Sequence, residues 1–145
     1  MTSDPLQVTH YRSPFAGLRV RLLSTVLDVA LLWLVCAGVE AGTGTSIASV
    51  RAFLLLLAVS LVYFPTLWAT TGWTLGQHVL GLRVVRAADG QSIGPSAAAA
   101  RAVGCLIAAL PLFVGVLWSG WDSRKQGWQD KVAGTVVIHD LRSGD

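Results

Sequence analysis

Charged residues are scarce in this chain of 145 residues. Asp, Glu, Lys and Arg make up 13% of it, about half of the ~25% that is usual in soluble domains. Apolar residues account for 53%, and the mean hydropathy is +0.60. The net charge of +3, from scattered basic residues, is too small to indicate a nucleic-acid partner. The shortage of charge argues against an ordinary soluble domain and favours a single integral membrane domain.

Cysteine is nearly absent as well. The two cysteines, Cys36 and Cys105, both lie inside apolar stretches, which indicates free thiols rather than a disulfide framework or a metal site. The chain also lacks a phosphate-binding loop, a dinucleotide fingerprint, a metal-binding triad and a nucleophile elbow. We therefore predict no enzymatic activity, no catalytic residue, no cofactor and no bound metal.

Three long apolar stretches are present, and they predict membrane spans at about 22–39, 52–69 and 96–121. Roughly 20 apolar residues cross the ~30 Å hydrocarbon core as a helix. A cleaved signal peptide is not expected, because the first stretch begins after about twenty residues and contains Asp28. Residues 1–18 are predicted to form an N-terminal tail, 19–139 the membrane domain, and 140–145 a C-terminal tail.

Two short β-branched runs, 81–86 and 134–139, predict strands that pair with each other. The predicted fold is therefore an all-α integral membrane protein of three apolar helical segments with a small cytoplasmic two-strand β element. Basic residues precede the first span and also fill the tail: Arg12, Arg19, Arg21, Arg124, Lys125, Lys131 and Arg142. By the positive-inside rule both ends are expected in the cytoplasm.

Three simple crossings would instead put the two ends on opposite sides of the membrane. One interpretation is that Pro111 breaks the third stretch into a re-entrant hairpin, whose non-helical backbone protein would have to cover. The other is that the stretch crosses and the tail lies outside. The sequence leaves both open.

A polar stripe follows one face of the first span: Arg21, Ser24, Thr25 and Asp28. An ionisable group at the depth of Asp28 costs at least ~2.5 kcal/mol and usually faces protein, water or a partner. Asp28 is either a proton- or cation-binding carboxylate or a structural latch between helices. Arg21 should reach the cytoplasmic boundary, where it could meet Asp130. Arg101, the only charge in the third stretch, could instead pair with Asp28.

Three separated elements of the chain resemble the RDD family of membrane proteins over roughly residues 15–139. The first is RLLSTVLD, in which Arg21 and Asp28 match the family's arginine and first aspartate. The second is TLGQHVLGLRVVRAADG, with Gln77 where lysine is frequent. The third is RKQGWQDKVAGTVVI, in which Asp130 matches the second aspartate and Trp128-Gln129 replaces a common Leu-His.

The resemblance implies a multi-pass protein of a bacterial plasma membrane, with its N-terminus in the cytoplasm. Transport of unidentified ligands, cation/proton antiport and scaffold roles have all been proposed for the family. Two functions follow: a non-enzymatic adaptor or assembly factor held together by Arg21, Asp28 and Asp130, or a transporter or transport subunit that uses Asp28. The expected partners are the lipid bilayer and a second copy of the chain or another membrane protein, with no nucleic acid.

Overall fold

The computed structural model of the chain describes residues 15–44, 49–109 and 114–140. In chain order its elements are α1 (Leu18–Thr43), α2 (Val50–Thr70), α3 (Leu75–Val79), β1 (Leu82–Arg86), α4 (Pro95–Ala109), α5 (Val114–Leu117), α6 (Trp128–Ala133) and β2 (Thr135–His139). A 3₁₀ turn, Trp118–Gly120, follows α5. The chain is mostly helical, as its hydropathy predicts.

The two longest helices, α1 and α2, are each long and apolar enough to cross a membrane. Their leucine, valine and phenylalanine side chains are largely exposed, which suits a helix surrounded by lipid. Helix α1 runs from Leu18 to Thr43, beyond both ends of the predicted span of about 22–39, and ends where Gly44 adopts a left-handed φ of 70°. Glu40, just past the predicted span, therefore lies inside the helix.

The third apolar stretch is bent. The axis turns through 114° between α4 and the segment Val114–Gly120, as it would in a broken span or a re-entrant loop. The described helices therefore provide two spans, or three if the bent pair is one span. Pro111, the predicted break point, lies outside the described residues.

Strands β1 and β2 form an antiparallel pair, with Val84 opposite Val137. This confirms the two predicted strands to within one residue at each end. The segment before α1 joins the same sheet, because the Ala16 amide donates to the Val137 carbonyl at 2.8 Å. The sheet covers a small apolar core, which includes Trp68, Leu82, Val84, Ala98 and Val137.

Close packing of α4 against α6 completes this end of the molecule. A Cβ at Gly104 would lie 2.8 Å from Gln129 Cα, so only glycine allows the two helices to approach this closely. The buried face of α4 carries Ala98, Arg101, Gly104 and Ala108. The start of α1, the end of α2, helix α6 and the start of β2 thereby meet near Arg101.

Candidate functional site

Asp130 is the centre of a buried charge cluster. Its side chain is 0% exposed. Arg21 Nη1 donates to Asp130 Oδ2 at 2.5 Å, and Arg101 Nη1 donates to Asp130 Oδ1. The Gly127 amide also donates to Oδ2, at 2.9 Å, and so satisfies one of the free N–H groups at the start of α6. One carboxylate thereby joins α1, α4 and α6.

Arg101 extends the cluster to the sheet and to α2. The same Nη1 donates to Thr135 Oγ1, the first residue of β2, at 2.7 Å. Its guanidinium lies 4.8 Å from the centre of the Trp68 ring, within the range of a cation–π interaction. Trp68 Nε1 in turn donates to Gln77 Oε1 at 3.2 Å. From its position on α4, Arg101 therefore contacts α2, α6 and β2, and does more than neutralise the charge of Asp130.

The two arginines control the ionisation of Asp130. Burial by itself would raise the pKa of Asp130, but the charges of Arg101 and Arg21 and the hydrogen bonds outweigh it and hold the pKa below its ordinary value of 3.8. A carboxylate with a depressed pKa stabilises the fold above its unfolded pKa, and that contribution is lost as the pH falls through the folded pKa. The contribution of Asp130 to stability is therefore present at neutral pH and is lost only in acid, as the pH falls through its lowered pKa.

Asp28 has a different environment, made of neutral donors. It is 1% exposed. Its Oδ1 accepts from the Tyr63 hydroxyl and from the Gly76 amide, both at 2.8 Å. Its Oδ2 accepts from Thr74 Oγ1 at 2.5 Å. The carboxylate thus joins the middle of α1 to α2 and to the start of α3.

The local structure at the start of α3 places two hydrogen-bond donors next to Asp28. Thr74 and Gln77 form a reciprocal capping box, in which each side chain accepts from the other residue's amide. Gly76 must lack a side chain here, because a Cβ would overlap the Ser24 carbonyl oxygen and would lie 2.9 Å from Asp28 Oδ2. The backbone of α3 therefore touches α1 directly.

The structure divides the four predicted polar residues into two groups. Arg21, Arg101 and Asp130 are in contact, whereas Asp28 lies apart and hydrogen-bonds to Tyr63, Thr74 and Gly76. The expectation that Arg101 serves Asp28 is wrong, because its guanidinium is bound to Asp130 and Thr135. The hydroxyls of the stripe, Ser24 and Thr25, bond to the Arg21 carbonyl instead of to a neighbouring helix.

Tyr63, Thr74 and Thr135 are the partners that sequence reasoning missed. Weak signals pointed to two of them. Tyr63 is the only ionisable side chain in the second apolar stretch, and Thr74 opens the TLG element. Among residues 15–44, 49–109 and 114–140, no group of three or more His, Cys, Asp or Glu side chains could hold a metal ion.

Comparison with known proteins identifies the family to which the chain is similar. The model of the RDD family matches residues 15–134. A proline-rich antigen homolog of Mycobacterium tuberculosis (strain H37Rv) is 36% identical over 69 residues, which are 48% of this chain and 29% of that protein. The proline-rich antigen of Mycobacterium leprae is 32% identical over 68 residues, 47% of this chain and 27% of that protein.

The match therefore spans less than a third of the length of either relative. Neither name indicates catalysis. No solved structure matches the chain significantly.

The first prediction concerns the Arg21–Asp130 pair. Arg21→Ala and Asp130→Ala should each lower the free energy of unfolding by ~3–5 kcal/mol, because the first removes one of the two cations that bind Asp130 and the second leaves two buried guanidinium groups without their carboxylate. The double mutant should lose less than the sum of the two. Thermal and denaturant unfolding in detergent micelles measures these differences.

The exposed pair Arg86–Asp89, at 2.9 Å, is the matched control. Alanine at both positions should show a coupling below about 1 kcal/mol, since exposed ion pairs contribute little. Equal coupling at the two pairs would contradict the assignment of Asp130 as the centre of the cluster.

A second prediction concerns the contact between α3 and α1. Gly76→Ala should strongly reduce the folded yield, because the added methyl group overlaps the Ser24 carbonyl and crowds Asp28. Gly38→Ala in α1 is the control, since nothing lies within 4 Å of a Cβ there. It should be neutral or stabilise by up to ~1 kcal/mol through helix propensity. Size-exclusion chromatography after detergent extraction compares the two; similar yields would remove the argument for a tight contact.

Proposed function

The chain belongs to the RDD family, and from this premise we propose that it is a non-enzymatic membrane adaptor or assembly factor. In this proposal Arg21, Asp28 and Asp130 hold a small module against the membrane helices. The module consists of α3 and β1 together with α6 and β2. Its outer surface binds a membrane-protein partner or a second copy of the chain.

The observation that carries the proposal is that both carboxylate oxygens of Asp28 accept hydrogen bonds from the protein itself. Both of its oxygens are occupied by donors of the protein itself, and the three donors come from two other helical elements. A carboxylate that carries an ion must release such bonds in every cycle. Three bonds that close the α1–α2–α3 contact are better suited to a permanent structural role.

A surface fit for a partner lies on the side of the module near α6. Trp121 is 81% exposed and Val132 is 58% exposed, with Trp118 beside them. Lys131 lies over the Trp118 ring, 5.9 Å from its centre. Exposed tryptophan is enriched in protein interfaces, so Trp118 and Trp121 carry this argument and Lys131 does not.

We propose further that the protein is a multi-pass protein of a bacterial cell membrane with its N-terminus and its module in the cytoplasm. The basic residues at both ends of the chain support this orientation. The bond between Ala16 and Val137 supports a common side, because it holds the start of α1 against β2. After two crossings, α4 and the bent α5 segment would then enter the membrane and return.

The second candidate is a transporter or transport subunit. One observation favours it: within the described residues Asp28 is buried and its hydrogen-bond donors are all uncharged, and intramembrane acids are often functional. Substitution of Asp28 separates the two functions.

The third prediction is that Asp28→Asn folds and assembles nearly as the wild type does. Asn Oδ1 can still accept from Tyr63 and Gly76, and its amide can donate to Thr74 Oγ1. Proteoliposomes of the wild type should show no dissipation of a pH gradient beyond that of empty vesicles. Gradient dissipation by the wild type that the Asn variant lacks would establish the transport function instead.

Asp28→Leu is the matched control. It keeps a side chain of similar size but leaves the Tyr63 hydroxyl, the Thr74 hydroxyl and the Gly76 amide without an acceptor. Each buried unsatisfied donor costs ~1–3 kcal/mol, so this variant should fail to fold or assemble.

The fourth prediction tests the proposed side and surface together, with Val132→Cys in a chain whose Cys36 and Cys105 are replaced by serine. An impermeant maleimide should label this variant in inverted membrane vesicles and not in right-side-out vesicles. In native membranes the reaction should be several-fold slower than in purified protein, because a partner covers α6.

Ala88→Cys, in the exposed turn after β1, is the control for this experiment. It should label from the same side, at the same rate in native membranes and in purified protein. Labelling of Val132→Cys from the outside would contradict the orientation, and equal rates at both positions would contradict the docking surface.

A further inference from the structure

A cavity of about 320 Å³ lies between the last turns of α1 and the first turns of α2. Its lining is mostly apolar: Trp33, Cys36, Ala37, Glu40, Ser49, Ala52, Phe53 and Leu56. Glu40 is the only acidic residue among them. The volume is near the lower end of the ~300–1,000 Å³ of small-molecule sites. The cavity can therefore admit a small polar group but not a large ligand.

The carboxylate of Glu40 is buried without hydrogen bonds. Its side chain is 0% exposed, and neither oxygen accepts a hydrogen bond from the described part of the chain. Arg51 forms an ion pair with it, since its Nε lies 3.6 Å from Glu40 Oε1, but this is beyond hydrogen-bonding distance. An acid buried in this way is costly unless hydrogen bonds satisfy it. The two Glu40 oxygens can therefore still accept hydrogen bonds inside the cavity.

Arg51 adds a second charge at the mouth of the cavity. It is the second residue of α2, and its side chain is 62% exposed. A negative group inside the cavity and a positive group at its edge form a pair of charges that a zwitterion would complement. The apolar walls continue from this pair to Trp33, seven residues or roughly 10 Å further along α1.

We infer that this cavity binds the headgroup of a phospholipid that carries a primary ammonium group. The ammonium group has three donors and no acceptor, so it can supply the hydrogen bonds that the Glu40 oxygens lack. The lipid phosphate lies beside Arg51. The acyl chains follow the exposed apolar side chains of Trp33 and Phe53 out of the cavity.

The position of the cavity favours a membrane lipid as the source of this ammonium. Glu40 is three residues before the end of α1, and Arg51 is at the start of α2. Both lie where two membrane-spanning helices reach the level of the headgroups. The site is also 19 residues, or about 28 Å, along α1 from Arg21. The lipid site is independent of the proposed adaptor function, so an experiment can contradict either proposal without affecting the other.

Native mass spectrometry of the detergent-purified protein tests the inference, with phosphatidylethanolamine and phosphatidylglycerol of identical chains. The wild type should retain phosphatidylethanolamine at least tenfold more strongly. Glu40→Gln keeps the size of the side chain and removes its charge, and it should reduce retention to the level of phosphatidylglycerol. Asp89→Asn removes an exposed acid in the turn after β1, and it should retain the lipid as the wild type does.

Equal retention of the two lipids by the wild type, or full selectivity in Glu40→Gln, would overturn the inference. The wild-type comparison remains decisive if Glu40→Gln does not fold. A competition arm uses O-phosphoethanolamine, which has the same headgroup charges without acyl chains. It should displace the lipid only at a concentration at least a hundredfold higher; displacement at equal concentration would show a site for a free zwitterion and exclude the lipid.

Labelling of Cys36 gives an independent measurement, because this thiol lines the cavity. In a Cys105→Ser chain, Cys36 is the only cysteine. A small thiol reagent should modify it several-fold more slowly in phosphatidylethanolamine nanodiscs than in phosphatidylglycerol nanodiscs. Glu40→Gln should abolish the difference. Equal rates for the wild type in both lipids would contradict occupation of the cavity.

Discussion

The bond between Arg21 and Asp130 joins residues 109 positions apart in the chain, and the other elements at this end of the molecule depend on it. Asp130 is in the short helix α6, which could not persist alone because isolated helices of this length are unstable. A buried ion pair is not in general more stable than an apolar contact of the same size. Its contribution here is to specificity, because α6 must be placed so that Asp130 reaches both Arg21 and Arg101.

Asp28 complements this cluster from two turns further along α1. Asp130 has two arginine partners, whereas Asp28, on the same face of α1 as Arg21, accepts from uncharged donors. The carboxylates of Asp28 and Asp130 hold different elements against α1. Asp130 anchors α4, α6 and the sheet to α1, whereas Asp28 anchors α2 and α3. This explains why a helix that is otherwise lipid-facing carries a continuous polar stripe.

The sequence predicted the features that follow from a repeating pattern. Hydropathy located α1 and α2, helical spacing put Arg21 and Asp28 on one face, and β-branched runs located both strands. Contacts set by tertiary packing were not predictable in this way. Nothing in the spacing of Arg101 tells which neighbouring helix it faces, and Thr74 is one of many hydroxyls. The burial of Glu40 was not predicted. Its charge lowers the local hydropathy and so ends the predicted span, although the helix itself continues to Thr43.

The same contacts constrain the third apolar stretch. Arg21 is at the first turn of α1, and both Asp130 and Val137 lie against that end of the helix. Helices α1 and α2 are long and apolar enough to cross a membrane, and two crossings would return the chain to the end at which it started. Under the proposed topology, α4 and the segment after it must therefore enter and leave on one side, and the 114° bend allows this. Glycine at 104 and 115 lets the two described arms pack closely on α6 and on each other.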